Sequence, residues 1–210
     1  MPRPSPRRVA VRVIPLRSDQ CREAGELLAR AFANDPLTNY TIPDPLRRPR
    51  VLAWAHARWA TFLQPIGALF TTENLEGVAG WFPPNFNHNL GLWTLIRAGF
   101  ITAPFRFGLR NLGRVLRTNA DVQRHYRNEV AGPHWILDVL GVDPKHQRRG
   151  VASALIEHTL AQADRDRLPA YVITHNLRNI AFYERFGFRL ISSTPLAENI
   201  FTSSLLRPAR

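Results

Sequence analysis

The chain has one cysteine, Cys21, in 210 residues. A single thiol cannot form an intrachain disulfide, and it excludes any CxxC metal site. Lysine is equally scarce. Lys145 is the only one, so nearly all of the 28 basic side chains are arginines, set against 16 acidic ones for a net charge of +12. No acidic cluster is present that would draw in a polyamine. No stretch reaches the roughly 18 uncharged apolar residues that a membrane span needs. The nearest, Asn89 to Phe105, is interrupted by Arg97 and Pro104. A secretory leader is not expected either, because Met1 to Arg8 is rich in proline and arginine and the apolar run after it is short. These absences make a reducing cytoplasm the expected compartment, with no membrane partner and no metal.

The +12 charge favours an anionic partner. A nucleic-acid-binding module is one class that fits the charge. Its arginines, however, are scattered, and no RNP, KH or helix-turn-helix pattern stands out, so no nucleic acid is expected. A G-x-x-x-x-G-K-[ST] loop and a G-x-G-x-x-G turn are both missing, which removes the two commonest nucleotide cradles.

What is present is 45% hydrophobic residues, enough for a real core. Val9 to Leu16 is β-branched and partly alternating, as in a strand. Ser18 or Asp19 can cap the helix that follows, in which Ala24, Leu27, Leu28, Ala31 and Phe32 recur at helical spacing. The segment "NDPLTNYTIPDP" breaks it with three prolines. A second helix runs from about Leu46 to Leu63. Two short strands, "IGALFTTE" and "EGVAGWFPP", flank a turn at Asn74 to Glu76. Asn85 to Gly132 is apolar and basic and reads as two helices. "HWILDVLGV" (His134 to Val142) is the strongest strand signal. A helix from Gly150, a strand "PAYVITH", a short helix ended by Gly187 and a terminal hairpin complete the chain. The order β-α-α-β-β-α-α-β-α-β-α-β-β is mixed α/β.

The stretch "VDPKHQRRGVAS" (Val142 to Ser153) takes a buried strand into a helix through a basic, glycine-containing turn. Amides at a helix N-terminus are unpaired and partly positive. Gly150 lets an anion approach the backbone, and Arg148 and Arg149 add charge. An ordinary basic helix start would be written in the same letters.

"QRRGVA" with the strand before it, and "THNLRNIAFYERFGF" about 25 residues on, together resemble the GNAT superfamily of acetyl-coenzyme A-dependent N-acetyltransferases. In the second motif Asn176 precedes Tyr183 by seven residues, and Gly187-Phe188 follow. The resemblance spans roughly Trp135 to Leu190. "GVAGWFPP" looks like the third strand of a bacterial and fungal-type subgroup with a helical insertion before its fourth strand. It implies a mixed, mostly antiparallel sheet, splayed between its fourth and fifth strands, with helices on both faces. One domain over 1–210 is expected, with a flexible tail at 1–8 and a helical insertion at 85–132.

The resemblance also assigns roles. Gln147, Arg148, Arg149, Gly150, Val151, Ala152 and Ser153 would cradle the pyrophosphate of acetyl-coenzyme A. Leu140, Gly141 and Val142 would pair with its pantetheine arm, and Asn176 would bond the arm's amides. A bulge near Gly141 would open the slot. Tyr183 would stand by the sulfur and protonate the leaving thiolate; packed in the core, the same ring would be purely structural. Ile136, Asp138 and Leu140 are expected on one face of the strand. Asp138 is then the candidate base, or else a structural carboxylate paired with an arginine; His134 or a water chain are the alternatives. Cys21 is expected to pack on the first helix. Phe32, Tyr40, Trp54, Trp81 and Phe82 are expected to supply aromatic walls to the acceptor pocket, above all Trp81, at a strand end; core packing is the other reading for most of them. The insertion, basic and amphipathic, would cover the cleft or meet a partner subunit, as in a homodimer; binding to a membrane surface is the alternative. The expected activity is direct acetyl transfer to a small-molecule primary amine; a non-catalytic acyl-coenzyme A sensor is the alternative on the same fold.

Overall fold

The structure, a computed structural model, describes residues 11–66, 68–86 and 92–210. The tail expected at 1–8 and residues 87–91 of the insertion lie outside these residues.

Among the described residues, seven strands form one sheet. They are β1 (Val13–Pro15), β2 (Leu69–Thr72), β3 (Gly77–Phe82), β4 (Trp135–Val142), β5 (Ala170–Thr174), β6 (Arg189–Ala197) and β7 (Ile200–Arg207). Their order is β1-β2-β3-β4-β5-β7-β6. Every neighbouring pair is antiparallel except β4 and β5. That parallel pair is matched only over Trp135–Leu137 and Ala170–Val172. Beyond Leu137 the two strands part, so the sheet is splayed at its centre.

Helices pack on both faces. α1 (Cys21–Ala31) and α3 (Arg48–Leu63) cover one face, where Leu27, Leu28, Leu63, Val78, Phe82 and Ile136 bury their side chains together. Gly25 is the point of closest approach, since a Cβ there would lie 2.5 Å from the Ala57 amide nitrogen. The opposite face is covered by α7 (Val151–Arg165) and α8 (Ile180–Glu184), over Trp81, Leu137, Val172 and Leu205. Between β3 and β4 stand α4 (Leu92–Arg97), α5 (Ala103–Phe107) and α6 (Leu109–Asn128). α6 packs on the α3 side, where Tyr126 meets Tyr171 of β5 edge-on at 5.8 Å.

Three local expectations are corrected. The proline-rich break contains a helix, α2 (Pro36–Thr41), because Pro36 occupies its first turn and the Asp35 side chain accepts from the Leu37 amide. The β4 bulge is at Asp138, not near Gly141: Gly80 faces Val139 and Trp81 faces Leu137, leaving Asp138 as the extra residue. This bulge also breaks the alternation that would put Ile136, Asp138 and Leu140 on one face. Ile136 and Val139 join the α1–α3 core, whereas Leu140 packs with the α7 core.

Candidate active site

The free edge of β4 leads straight into the basic turn. Gly141 has no side chain, and a Cβ there would meet Leu28 at 2.6 Å and Phe32 at 3.2 Å. α1 therefore lies directly over this strand. After Val142 the chain is tied down by Asp143, whose side chain accepts from the Lys145 amide and pairs with Arg30 at 2.6 Å. Burial opposes ionisation of Asp143, but the Lys145 amide and the Arg30 guanidinium together leave its pKa lowered. Arg148 and Gly150 both have left-handed backbones, at φ 62° and 88°. A non-glycine residue in that region is strained, and such strain concentrates at functional turns. No side chain caps the start of α7. Its first amides, in Val151, Ala152 and Ser153, are thus open to an anion. A Cβ built on Gly150 meets nothing within 4 Å, so the approach is clear. Arg148 and Arg149 are exposed beside it. The Gln147 side chain turns back and donates to the Val142 carbonyl at 3.2 Å, which leaves its backbone for ligand contact. This donor set fits a pyrophosphate.

The splay between β4 and β5 holds a cavity of about 410 Å³ that passes through the sheet. From the α1–α3 side it is lined by Phe32, His56, Trp59 and Asp138; from the α7–α8 side by Leu140, Asn179 and Tyr183. Continuous pairing of β4 with β5 would close it. Asn176 is not among its lining residues but bonds one of them: its side chain accepts from the Arg178 amide at 3.2 Å and also hydrogen-bonds Asp35. Phe32 stacks on His56 with ring centroids 5.4 Å apart.

The titrating groups here divide by environment. Burial pushes Asp138 up to about 6, against the opposing pull of a hydrogen bond from the Trp59 indole at 2.5 Å. Burial pushes His56 down to about 4. His175 also falls to about 4, again by burial, with Asp121 pulling weakly the other way. Tyr183 is buried and its pKa is raised by burial and by the nearby Asp35 charge. At neutral pH Asp138 is therefore ionised, the two imidazoles are neutral and the Tyr183 phenol is protonated; Asp35, also in the lining, has its pKa raised by burial. A base works best when its pKa lies near the working pH, which favours Asp138 over either imidazole.

A second cavity, of about 490 Å³, opens on the other side of Asp138. Its walls are Trp59, Phe82, Ile96, Phe100, Leu112 and Leu116, among others from α4 to α6. Trp59 and Asp138 line both cavities.

Several predicted residues lie elsewhere. Trp81 is fully buried against the α7 core and lines neither cavity; the alternation of β3 turns its neighbour Phe82, also expected as a wall, toward the second cavity. Tyr40 lies under the Arg114 guanidinium, 5.3 Å from its ring centre, and faces α6 rather than the cavity. His134 is buried at the far end of β4, bonded to the Gly132 carbonyl and packed edge-on against Tyr171. It lines neither cavity. Cys21 is buried on α1, as expected. Sequence reasoning missed Trp59, His56, Asp35 and His175. A tryptophan and a histidine three residues apart on one helix were the available signal for the first two.

The parted parallel pair, the uncapped loop and the cavity at the splay agree with the N-acetyltransferase resemblance read from the sequence. Residues 99–188 match the family model described as Acetyltransferase (GNAT) family. Its members generally use acetyl-coenzyme A. The chain is 24% identical over 176 residues to the "Uncharacterized N-acetyltransferase C550.08" of Schizosaccharomyces pombe, covering 80% of this chain and 70% of that one. A structure of "histone acetyltransferase HPA2 and related acetyltransferase" from Corynebacterium glutamicum superposes with a TM-score of 0.64 at 21% identity, over 95% of this chain and 97% of that one. A Drosophila melanogaster polyamine N-acetyltransferase that forms N-acetylagmatine superposes at 0.58 and 18%, over 94% and 99%. A putative arylalkylamine N-acetyltransferase 7 of the mosquito Aedes aegypti gives 0.64 and 15%, over 94% and 86%. At these identities the structures show the shared fold. No described helix is long and apolar enough to cross a membrane.

Proposed function

We propose that this acetyltransferase moves the acetyl group of acetyl-coenzyme A directly to a primary amine of a small molecule, with Asp138 as base and Tyr183 as acid. The observation that carries the proposal is the cavity through the β4–β5 splay, which Asp138 and Tyr183 both line. The coenzyme would supply an activated thioester. The amides of Gln147 to Ser153, with Arg148 and Arg149, would hold its pyrophosphate, while Leu140 to Val142 and Asn176 would hold the pantetheine arm. Asp138 would accept the ammonium proton of the amine. An alkylammonium has a pKa several units above 6, but the acid it faces need hold that proton only transiently. The Tyr183 hydroxyl, held protonated, would donate to the departing sulfur. Relatives of this fold that are named for agmatine and arylalkylamine acetylation support an amine acceptor.

The test is thiol release from acetyl-coenzyme A in the presence of a panel of amines. Turnover with at least one amine, falling as pH drops through about 6, is the expected result. Coenzyme binding with no thiol release across the panel would favour a sensor over an enzyme.

A further inference from the structure

Among the described residues, the polar walls of the second cavity are few. They are Asn119, Gln123 and Asp138, with the hydroxyl of Tyr126; the remaining lining is aliphatic or aromatic, apart from the ring edges of Trp59. Asp138 is therefore the only carboxylate among these walls, and it stands at the end shared with the splay. A cation seated at Asp138 has no second carboxylate to reach for within this chamber; the other carboxylate near Asp138, Asp35, lines the splay cavity and not the chamber. The helices that build the chamber reinforce this. Between Leu92 and Asn128 the sequence has seven arginines and a single acidic residue, Asp121. That acid is already engaged by Thr202 at 2.6 Å and by Arg124. Burying an unpaired ammonium in such a chamber would be costly. Burying a hydrocarbon there is favourable at about 25 cal/mol per Å².

We infer that the acceptor is a monoamine with a bulky apolar body, its amine at Asp138 and its hydrocarbon or aromatic part inside the chamber walled by α4, α5 and α6. The inference rests on the acetyl-transfer reading above and narrows its substrate class. A chamber of about 490 Å³ accommodates a bicyclic aromatic ethylamine with room to spare. Polyamines and guanidino-amines are disfavoured by the same walls, because their second cation would meet apolar carbon and the neutral side chains of Asn119, Gln123 and Tyr126, with no second carboxylate among the described walls. The chamber lies on the Asp138 side of the splay, away from Tyr183, so it receives the nucleophile and not the acyl chain.

The experiment measures kcat/KM by thiol release for tryptamine, 2-phenylethylamine and hexylamine against ethanolamine, putrescine and agmatine. The apolar monoamines should exceed ethanolamine by roughly 30-fold or more, the scale for burying one large apolar group. The diamine and agmatine should fall at or below ethanolamine. Equal rates across the panel, or a preference for agmatine or putrescine, would overturn the inference while leaving acetyl transfer to amines standing. Failure of every amine would remove the functional reading and this one with it. A flat amine profile combined with faster use of hexanoyl-coenzyme A than acetyl-coenzyme A would reassign the chamber to the acyl chain.

Leu116→Glu supplies a second, gain-of-function readout. Leu116 is 49% exposed, so the new carboxylate can stay hydrated and the fold is not threatened. It would give the chamber the missing second anion. The ratio of putrescine to 2-phenylethylamine turnover should rise at least several-fold. An unchanged ratio in a variant of normal melting temperature would count against the chamber as the acceptor site.

Discussion

The two sides of β4 are built on different principles. On the loop side, what is offered to a ligand is backbone: a left-handed Gly150, the open amides of α7 and an unpaired strand edge. On the side proposed for the acceptor it is side chains from α3, β3 and three helices of the insertion, meeting around a single carboxylate among the described walls. Backbone recognition tolerates many side chains and reads the same in any member that keeps the turn. Side-chain recognition is assembled from residues distant in sequence and can change without disturbing the fold. The contrast explains how one coenzyme site can serve many acceptors. Asp138 sits at the joint, on the bulge where the two sides meet.

The largest effect should come from that joint. Asp138→Asn is expected to lower turnover by roughly 10²- to 10⁴-fold, the range for one general base. The pH dependence gives the sign. With a pKa of about 6, Asp138 is ionised above that value, so wild-type kcat/KM should fall as pH drops through about 6. The variant should lack this limb. Stability should move the other way. Because the folded pKa is raised from 3.8, the folded state binds the proton more tightly than the unfolded chain. Stability from this group is then fully present below about 4 and is lost as pH rises to about 6, on the order of 2–3 kcal/mol. Asp138→Asn should therefore melt higher than wild type at pH 8, with the gain shrinking toward pH 4. A purely structural Asp138 would instead melt lower on substitution and show no change in the pH profile.

Tyr183→Phe probes the opposite wall of the splay. It removes one hydroxyl and leaves the packing of the ring against Phe182 and Phe188 in place. Turnover should fall by roughly 10²-fold, while coenzyme affinity changes little. Product release can mask a chemical defect, so single-turnover thiol detection is the measurement that decides. A wild-type rate in that assay would return Tyr183 to a packing role.

Gly150→Asp tests the backbone side. A residue with a Cβ is strained at φ 88°, and the carboxylate would face the same amides as the pyrophosphate. Acetyl-coenzyme A affinity, read by calorimetry, should weaken by roughly 10- to 100-fold. The new side chain meets no neighbour, so the loss should exceed any change in melting temperature.

The same contrast decided what could be read from sequence. The loop and the Asn176–Tyr183–Gly187 spacing are local, so they were legible in one dimension. The order of most strands and helices was legible too, because each carries its own period. The bulge was not. Nothing in "WILDVLGV" tells which residue is skipped, since that depends on pairing with β3 across more than fifty intervening residues. One skipped residue moved Leu140 to the other face. Asp138 was found for its polarity within an apolar strand, but its partner Trp59 lies 79 residues away and required the fold. α2 was hidden because prolines read as breakers, although Pro36 falls in the first turn, where no amide hydrogen is needed.

The smallest effect separates two adjacent residues on β3. Trp81 and Phe82 are both fully buried and both aromatic, so composition offers no way to rank them. Strand alternation sends them to opposite faces: Trp81 to Leu137 and the α7 core, Phe82 to Trp59 and the chamber. Trp81→Phe deletes part of a packed ring far from either cavity. It should cost about 1–3 kcal/mol of stability through the void it leaves, with kcat/KM unchanged for every amine. Phe82→Leu also shrinks a core side chain and should destabilise by a similar amount. It additionally reshapes the chamber wall beside Asp138, so kcat/KM for apolar amines should drop by a few-fold while the KM for acetyl-coenzyme A holds. Thermal melts and amine kinetics on the pair distinguish the two positions. A change in amine selectivity for Trp81→Phe, with none for Phe82→Leu, would mean that the acceptor approaches from the α7 face and that the two sides of β4 have been assigned in reverse.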